Sequence, residues 1–336
     1  MTSRERVLRC LEYDLKGRVP RDIWALPWAE LYHPEKLKRI RADFPSDFAS
    51  SPGFYKTEPQ TVGDAYALGE FIDEWNCTWV NMQAGLVGEI KDPLIKSVDD
   101  LSSLILPVEL LSVDKEKVNS FCRETDSFVT QGTCARPFER LQFLRKTENL
   151  YIDLAEGTDN LKNLIDEVHG FYLKEMEVWA DTDVDALFFM DDWGAQQSLL
   201  ISPVMWRDLF KPLYRDYIDL AHSKGKKIFM HSDGYIADIL PDLIELGLDA
   251  VNSQIFCMGL ENLEQYRGQI CFWGEIDRQH LLPNGSTQDI KNAVKGVYEH
   301  LSKSGGVIAQ CEFGAGANPD NVYSVFQTWD ELTGLQ

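Results

Sequence analysis

Basic residues are scarce in this chain. Its 336 residues carry 33 Lys and Arg against 54 Asp and Glu, a formal charge of −21. Nucleic acid is gripped through its phosphates by a basic surface, so the balance argues against a nucleic-acid partner. More weakly, it argues against an anionic membrane surface and a polyanionic substrate, although charge is local and a basic pocket inside an acidic protein remains compatible with it. No apolar run approaches the ~20 residues that a bilayer span needs, and the opening Met1-Thr2-Ser3-Arg4-Glu5-Arg6 lacks the apolar centre of a signal peptide. The seven cysteines are odd in number, scattered and free of any Cys-x-x-Cys, the pattern of reduced thiols in a cytoplasmic protein. No Gly-x-Gly-x-x-Gly follows a strand pattern and no Walker-type loop is present, which leaves a nucleotide site unsupported. Glycine- or proline-rich linkers and low-complexity tracts are absent too, so residues 1–336 are expected to form a single domain, and 44% hydrophobic content suffices for a large core.

The clearest pattern lies at 226–247. Lys226, Lys227, Ile228, Phe229 and Met230 form a short apolar run that ends on His231, Ser232, Asp233 and Gly234. Ile236, Ile239, Leu240, Leu243 and Ile244 follow at helical spacing, and Gly247 stops them. This predicts a buried parallel strand, a polar turn and a helix. The same unit recurs. Strand candidates lie at 22–26, 47–51, 127–132, 186–190, 226–230, 250–254, 270–275 and 306–311, with amphipathic helical segments between them. Eight β-α alternations predict a (β/α)8 TIM barrel of the α/β class, with chemistry at the C-terminal ends of the strands. A polar helix at 1–16, with Val7, Leu8, Leu11 and Leu15 on one face, forms an N-terminal extension. At about 52–93 the rhythm breaks into alternating aromatic runs on either side of Asn76, which predicts a β-hairpin-like insertion folding over a pocket.

A barrel would gather Trp24, Ser50, Gly132, Asp191, Asp192, His231, Asp233, Asn252, Gln254, Glu275, Asp277 and Cys311 around one mouth. One imidazole, one thiolate and one carboxylate suit Zn²⁺, which takes N, S and O ligands and keeps an open position in catalytic sites. His231, Asp233 and Cys311 are therefore the candidate metal ligands, with Glu275 in reserve. Each has a structural alternative: a hydrogen-bonded His-Asp pair, or an inert core thiol. Asp191 and Asp192 suit a substrate or catalytic role, or a helix cap. Glu275 and Asp277 suit a general acid/base pair, or partners for Arg278 and His280. Trp24, Trp193, Asn252 and Gln254 are candidates for contacting substrate, with the tryptophans equally suited to core positions.

These residues resemble the uroporphyrinogen decarboxylase superfamily, which includes cobalamin-dependent methyltransferases. The carriers are Asp191-Asp192-Trp193-Gly194, Ser198-Leu199-Leu200-Ile201-Ser202-Pro203, His231-Ser232-Asp233-Gly234, Phe272-Trp273-Gly274-Glu275-Ile276-Asp277 and Pro319-Asp320-Asn321-Val322, with Pro241 through Gly247 between them. The decarboxylases carry an arginine-bearing N-terminal stretch that holds the substrate's carboxylates. The corresponding 24–32 here has no arginine, so the resemblance runs nearer the methyltransferase branch. That branch holds zinc through His-x-Cys and a distant Cys. His231 and Cys311 match the outer positions, and Asp233 stands where the pattern has Cys. The resemblance thus implies a zinc-dependent enzyme moving a methyl group between a small molecule and a corrinoid (cobalamin) on a partner protein. Its alternatives are a metal-independent decarboxylase or lyase acting on a small acid or tetrapyrrole, and a non-catalytic corrinoid- or tetrapyrrole-binding module.

Overall fold

The eight apolar runs become eight strands: β1 (Arg21–Ala25), β2 (Phe48–Ser50), β3 (Phe128–Thr130), β4 (Ala186–Met190), β5 (Lys227–Ser232), β6 (Ala250–Ser253), β7 (Cys271–Trp273) and β8 (Val307–Phe313), in a computed structural model that describes residues 1–334. They form one parallel sheet in the order β1-β8-β7-β6-β5-β4-β3-β2, with helices in the connections. The (β/α)8 barrel is nearly closed. At the seam between β1 and β2 the main chain meets at one end, where Asp47 N donates to Arg21 O at 2.9 Å and Arg21 N donates to the Asp47 carboxylate at 2.9 Å.

Alternation along each strand sorts the side chains into two layers. Phe128, Ala186, Phe229, Ala250, Cys271, Trp273 and Ile308 pack inside the barrel, with Trp24, Phe48 and Phe188 against them. Their neighbours Val129, Leu187, Ile228, Val251, Phe272, Val307, Ala309, Cys311 and Phe313 pack outward with the helices. The interior is aromatic, with Phe128 stacked on Phe229 at 5.6 Å and Phe48 on Trp273 at 5.7 Å. Each such ring stabilises the fold by ~1.5–3 kcal/mol relative to exposure.

The N-terminal helix, Ser3–Leu11, begins with a capping box between Thr2 and Glu5. It places Val7, Cys10 and Leu11 in the interior cluster, so it floors the barrel. Around that floor an aspartate precedes a strand three times. Asp47, Asp185 and Asp249 accept the backbone N–H of Arg21, Val129 and Ile228, each on the neighbouring strand. A buried N–H needs a partner, and within the first two residues of these strands the aspartate supplies it.

The insertion forms a three-stranded antiparallel sheet, Gly69–Ile72, Thr78–Asn81 and Glu89–Ile90. Its turn is wider than the single Asn76 that the sequence pattern suggested. The Asp73 carboxylate accepts from Trp75 N, Cys77 N and Trp79 Nε1, and Arg140 Nη1, on the helix after β3, reaches it at 2.8 Å. One buried ion pair thus ties the insertion to the barrel. Among the described residues no helix is long and apolar enough to cross a membrane.

Candidate metal centre and active site

The loops after β4 and β5 meet over the barrel mouth because two glycines let them. A Cβ on Gly194 would stand 2.2 Å from Tyr235 N, and one on Gly234 would stand 2.1 Å from Gly194 O. Only glycine permits that approach, and Gly234 also takes the positive φ of 73°. The loops are then laced by Gly194 N donating to Asp233 O and Tyr235 N donating to Ala195 O, at 3.0 and 2.8 Å. Asp233 N donates to Asp192 Oδ1 at 3.0 Å.

This lacing brings Asp192, His231 and Asp233 together, with one potential ligand atom of each within 4.8 Å of the others. His231 Nε2 stands 3.6 Å from Asp192 Oδ1 and 3.5 Å from Asp233 Oδ1. Its other nitrogen, Nδ1, lies 2.5 Å from Asn252 Oδ1, and Asn252 Nδ2 donates to the carbonyl of Trp273. A carbonyl only accepts, so the amide orientation follows, and Asn252 Oδ1 must receive a proton from Nδ1. A neutral ring held this way carries its lone pair on Nε2, the nitrogen on the side of the two carboxylates. An amide behind the outer nitrogen commonly fixes a metal-binding imidazole in this way.

Arg278 is the hub of the remaining charge. It pairs with Asp233 Oδ2, meets Glu312 Oε2 at 2.6 Å and lies 3.7 Å from Glu275 Oε2. Asp233 Oδ1 is buried without a hydrogen-bond partner, and so are both Glu275 oxygens. Burial raises the Asp192 carboxyl, with Asp233 adding to the shift. Burial pushes Glu275 up to about 8, as Asp233 and Glu312 outweigh part of the pull from Arg278. Glu312 is raised by burial too. Negative charge outnumbers positive here, which suits a cation.

The other expected residues separate from this cluster. Cys311 is a correction. Its sulfur packs outward among hydrocarbon, with burial holding the thiol well above its ordinary value, and the inward position at this level belongs to Glu312. A strand turns successive side chains to opposite faces, so an inward Glu312 puts Cys311 behind the sheet. Asp191 is fully buried, accepting from Glu139 N at 2.8 Å and Tyr214 Oη at 2.6 Å, so it caps the helix Pro137–Arg145 rather than facing the mouth. Trp193 lies in the core, stacked on Phe138 at 4.1 Å and bonded to Tyr214. Asn252 sits behind His231, out of reach of substrate. Asp277 accepts from Gln279 N and His280 N in a turn, and with Glu275 and Gln254 it lines a shallow cleft of about 140 Å³. Trp24 is at the mouth, 5.1 Å from the His231 ring, on the wall of a cavity of about 500 Å³. The sequence reading gave Arg278 only as a neighbour for Glu275 and passed over Glu312. The signal was the alternation of Ile308, Gln310 and Glu312 once the strand is run on to Phe313.

No curated protein matches the chain. Among solved structures, a methyltransferase from Methanosarcina mazei shares the fold at a TM-score of 0.69, with 17% identity over 99% of each chain. A 3-keto-D-glucoside 4-epimerase from E. coli aligns at a TM-score of 0.41, with 14% identity over 66% of this chain and 86% of its own; that likeness carries no weight. The profile described as uroporphyrinogen decarboxylase matches residues 77–332, from the insertion through the closing helix, and the chain belongs to that family.

Proposed function

We propose that the protein transfers a methyl group between a small molecule and a corrinoid carried on a partner protein, with Zn²⁺ held by Asp192, His231 and Asp233. The observation that carries this reading is spacing. Donors about 2.1 Å from a tetrahedral zinc stand ~3.4 Å apart, close to the 3.5 and 3.6 Å from His231 Nε2 to the two carboxylate oxygens. The unpartnered Asp233 Oδ1 and the Nε2 of a ring oriented by Asn252 are donors of the kind that a cation takes. Three protein ligands leave a fourth position for substrate, as in catalytic zinc sites. A bound zinc would act there as a Lewis acid on the heteroatom that gains or loses the methyl group.

The chain's own residues have separate tasks. Asn252 orients the imidazole, and Arg278 holds one oxygen of Asp233 so that the other faces His231. Glu275 keeps its proton near neutrality and offers one to a leaving heteroatom. Family membership and the fold shared with a protein named as a methyltransferase support the reaction class. Carboxylate ligands in place of thiolates favour an alcohol or ether oxygen over a thiol. The test is metal content of protein purified without chelators, together with methyl transfer from free methylcobalamin followed by absorbance. One zinc per chain and activity lost in His231→Ala are expected; a metal-free, active wild type overturns the reading.

Glu275 also favours a second reading, a metal-independent lyase acting on a small acid. A buried carboxyl with a value of about 8 is suited to protonating the carbanion left by loss of carbon dioxide. Carbon dioxide release that persists in chelator and stops in Glu275→Gln would select it.

A further inference from the structure

The cavity beside His231 has a composition that the metal cluster does not use. Its wall is aromatic, built from Trp24, Phe48, Phe188 and Trp273, with ring centroids 5.1 to 6.3 Å apart. Thr133, Cys134 and Arg136 also line a second space of about 390 Å³ beneath the insertion. Two guanidinium groups line these spaces, Arg136 both of them and Arg140 the second. Arg140 is saturated by Asp73, Glu74 and Tyr172. Arg136 is not: its one ionic neighbour among the described residues, Glu139, stands 3.9 Å away, beyond hydrogen-bond reach. On the cavity floor the Asp22 carboxylate already accepts from Trp24 Nε1 and Ser46 Oγ, at 3.0 and 3.1 Å.

A second group points the same way. Gln131 is buried, and its Nε2 donates to the carbonyls of Thr133 and Phe188 at 2.8 and 2.9 Å, which fixes the amide. Its Oε1 is left buried without a partner, on a residue that lines the cavity. An orphaned acceptor in an apolar wall is costly unless a ligand supplies the donor.

We propose that this cavity binds an aromatic carboxylate, with its ring against Trp24 and Phe188, its carboxylate on the fork of Arg136, and a ring hydroxyl or amine donating to Gln131 Oε1. A guanidinium matches a carboxylate bidentately, and one cation amid aromatic walls suits a monoanion better than a phosphate dianion. The volume suits a single-ring molecule. As the small-molecule partner in the reaction the ligand rests on the methyl-transfer reading; its binding does not.

The test therefore uses the full-length chain stripped of metal, with tryptophan fluorescence as readout and 4-hydroxybenzoate and its methyl ester as probes. The acid is expected to quench saturably and to bind at least tenfold more tightly than the ester, a comparison that needs no variant. Arg136→Gln is expected to weaken the acid at least tenfold and leave the ester unchanged, with Arg136→Lys between them. An ester that binds as tightly as the acid, an unchanged acid affinity in Arg136→Gln, or no saturable binding of the acid overturns the proposal. Acid binding without any methyl transfer would remove the reaction and keep the site.

Discussion

The two ends of the barrel handle charge in opposite ways. At the floor, one carboxylate is shared among many donors: Asp47 meets Arg6 at 2.5 Å and Arg18 at 2.6 Å, and also takes Ser3 Oγ and Arg21 N. At the mouth, one guanidinium is shared among Asp233, Glu275 and Glu312. Burial alone would raise the Asp47 carboxyl, but Arg18, Ser3 and Arg21 N hold it below its usual range, whereas the Glu275 carboxyl ends far above its own. The floor is a finished ion cluster that closes the seam of the sheet. The mouth sets three carboxylates on one guanidinium, an imbalance of the kind that functional sites carry.

The largest test of this contrast is Asp47→Ala. It strands two arginines and an N–H at the seam, and is expected to cost ~3 kcal/mol in urea unfolding. In the wild type the Asp47 contribution is present above the ordinary aspartate value and is lost as pH falls through the depressed native one. Next come the proposed ligands. His231→Ala or Asp233→Ala should weaken zinc at least about a hundredfold in a chelator competition while leaving the fold intact. Asn252→Ala removes only the orientation of the imidazole and should weaken zinc by roughly 10–100-fold.

Glu275→Gln acts on stability with the opposite sign to Asp47→Ala. A carboxyl raised to about 8 in the native state binds more protons folded than unfolded, so it makes stability fall as pH climbs from about 4.5 to 8. The glutamine variant should flatten that slope and, measured without metal at pH 8–9, gain about 1–3 kcal/mol over wild type. The smallest effect belongs to Cys311→Ala, expected to leave zinc binding unchanged and to cost about 1 kcal/mol in the outer core. Zinc lost in that variant would contradict the placement of Glu312 at the mouth.

Much of this was legible in the sequence. Apolar runs ending on polar turns marked the strands and their closing residues, and Asp192, His231 and Asp233 stand where those turns predicted. Cys311 shows where the reading ran out. A parallel strand covered on both faces is apolar throughout, so its facing shows only in its last residues, and stopping at 311 rather than 313 concealed the polar face formed by Gln310 and Glu312. Arg136 and Gln131 were invisible for another reason. Their significance is a missing partner, which appears only when every neighbour's hydrogen bonds have been assigned.

The glycine contact between the β4 and β5 loops has a consequence for which ion the proposed site would accept. With Gly194 and Gly234 pressed main chain to main chain, Asp192 and Asp233 are jaws of a caliper locked by backbone, with little freedom to widen around a larger visitor. Calcium wants six to eight oxygens at 2.3–2.6 Å; such jaws are set for something smaller.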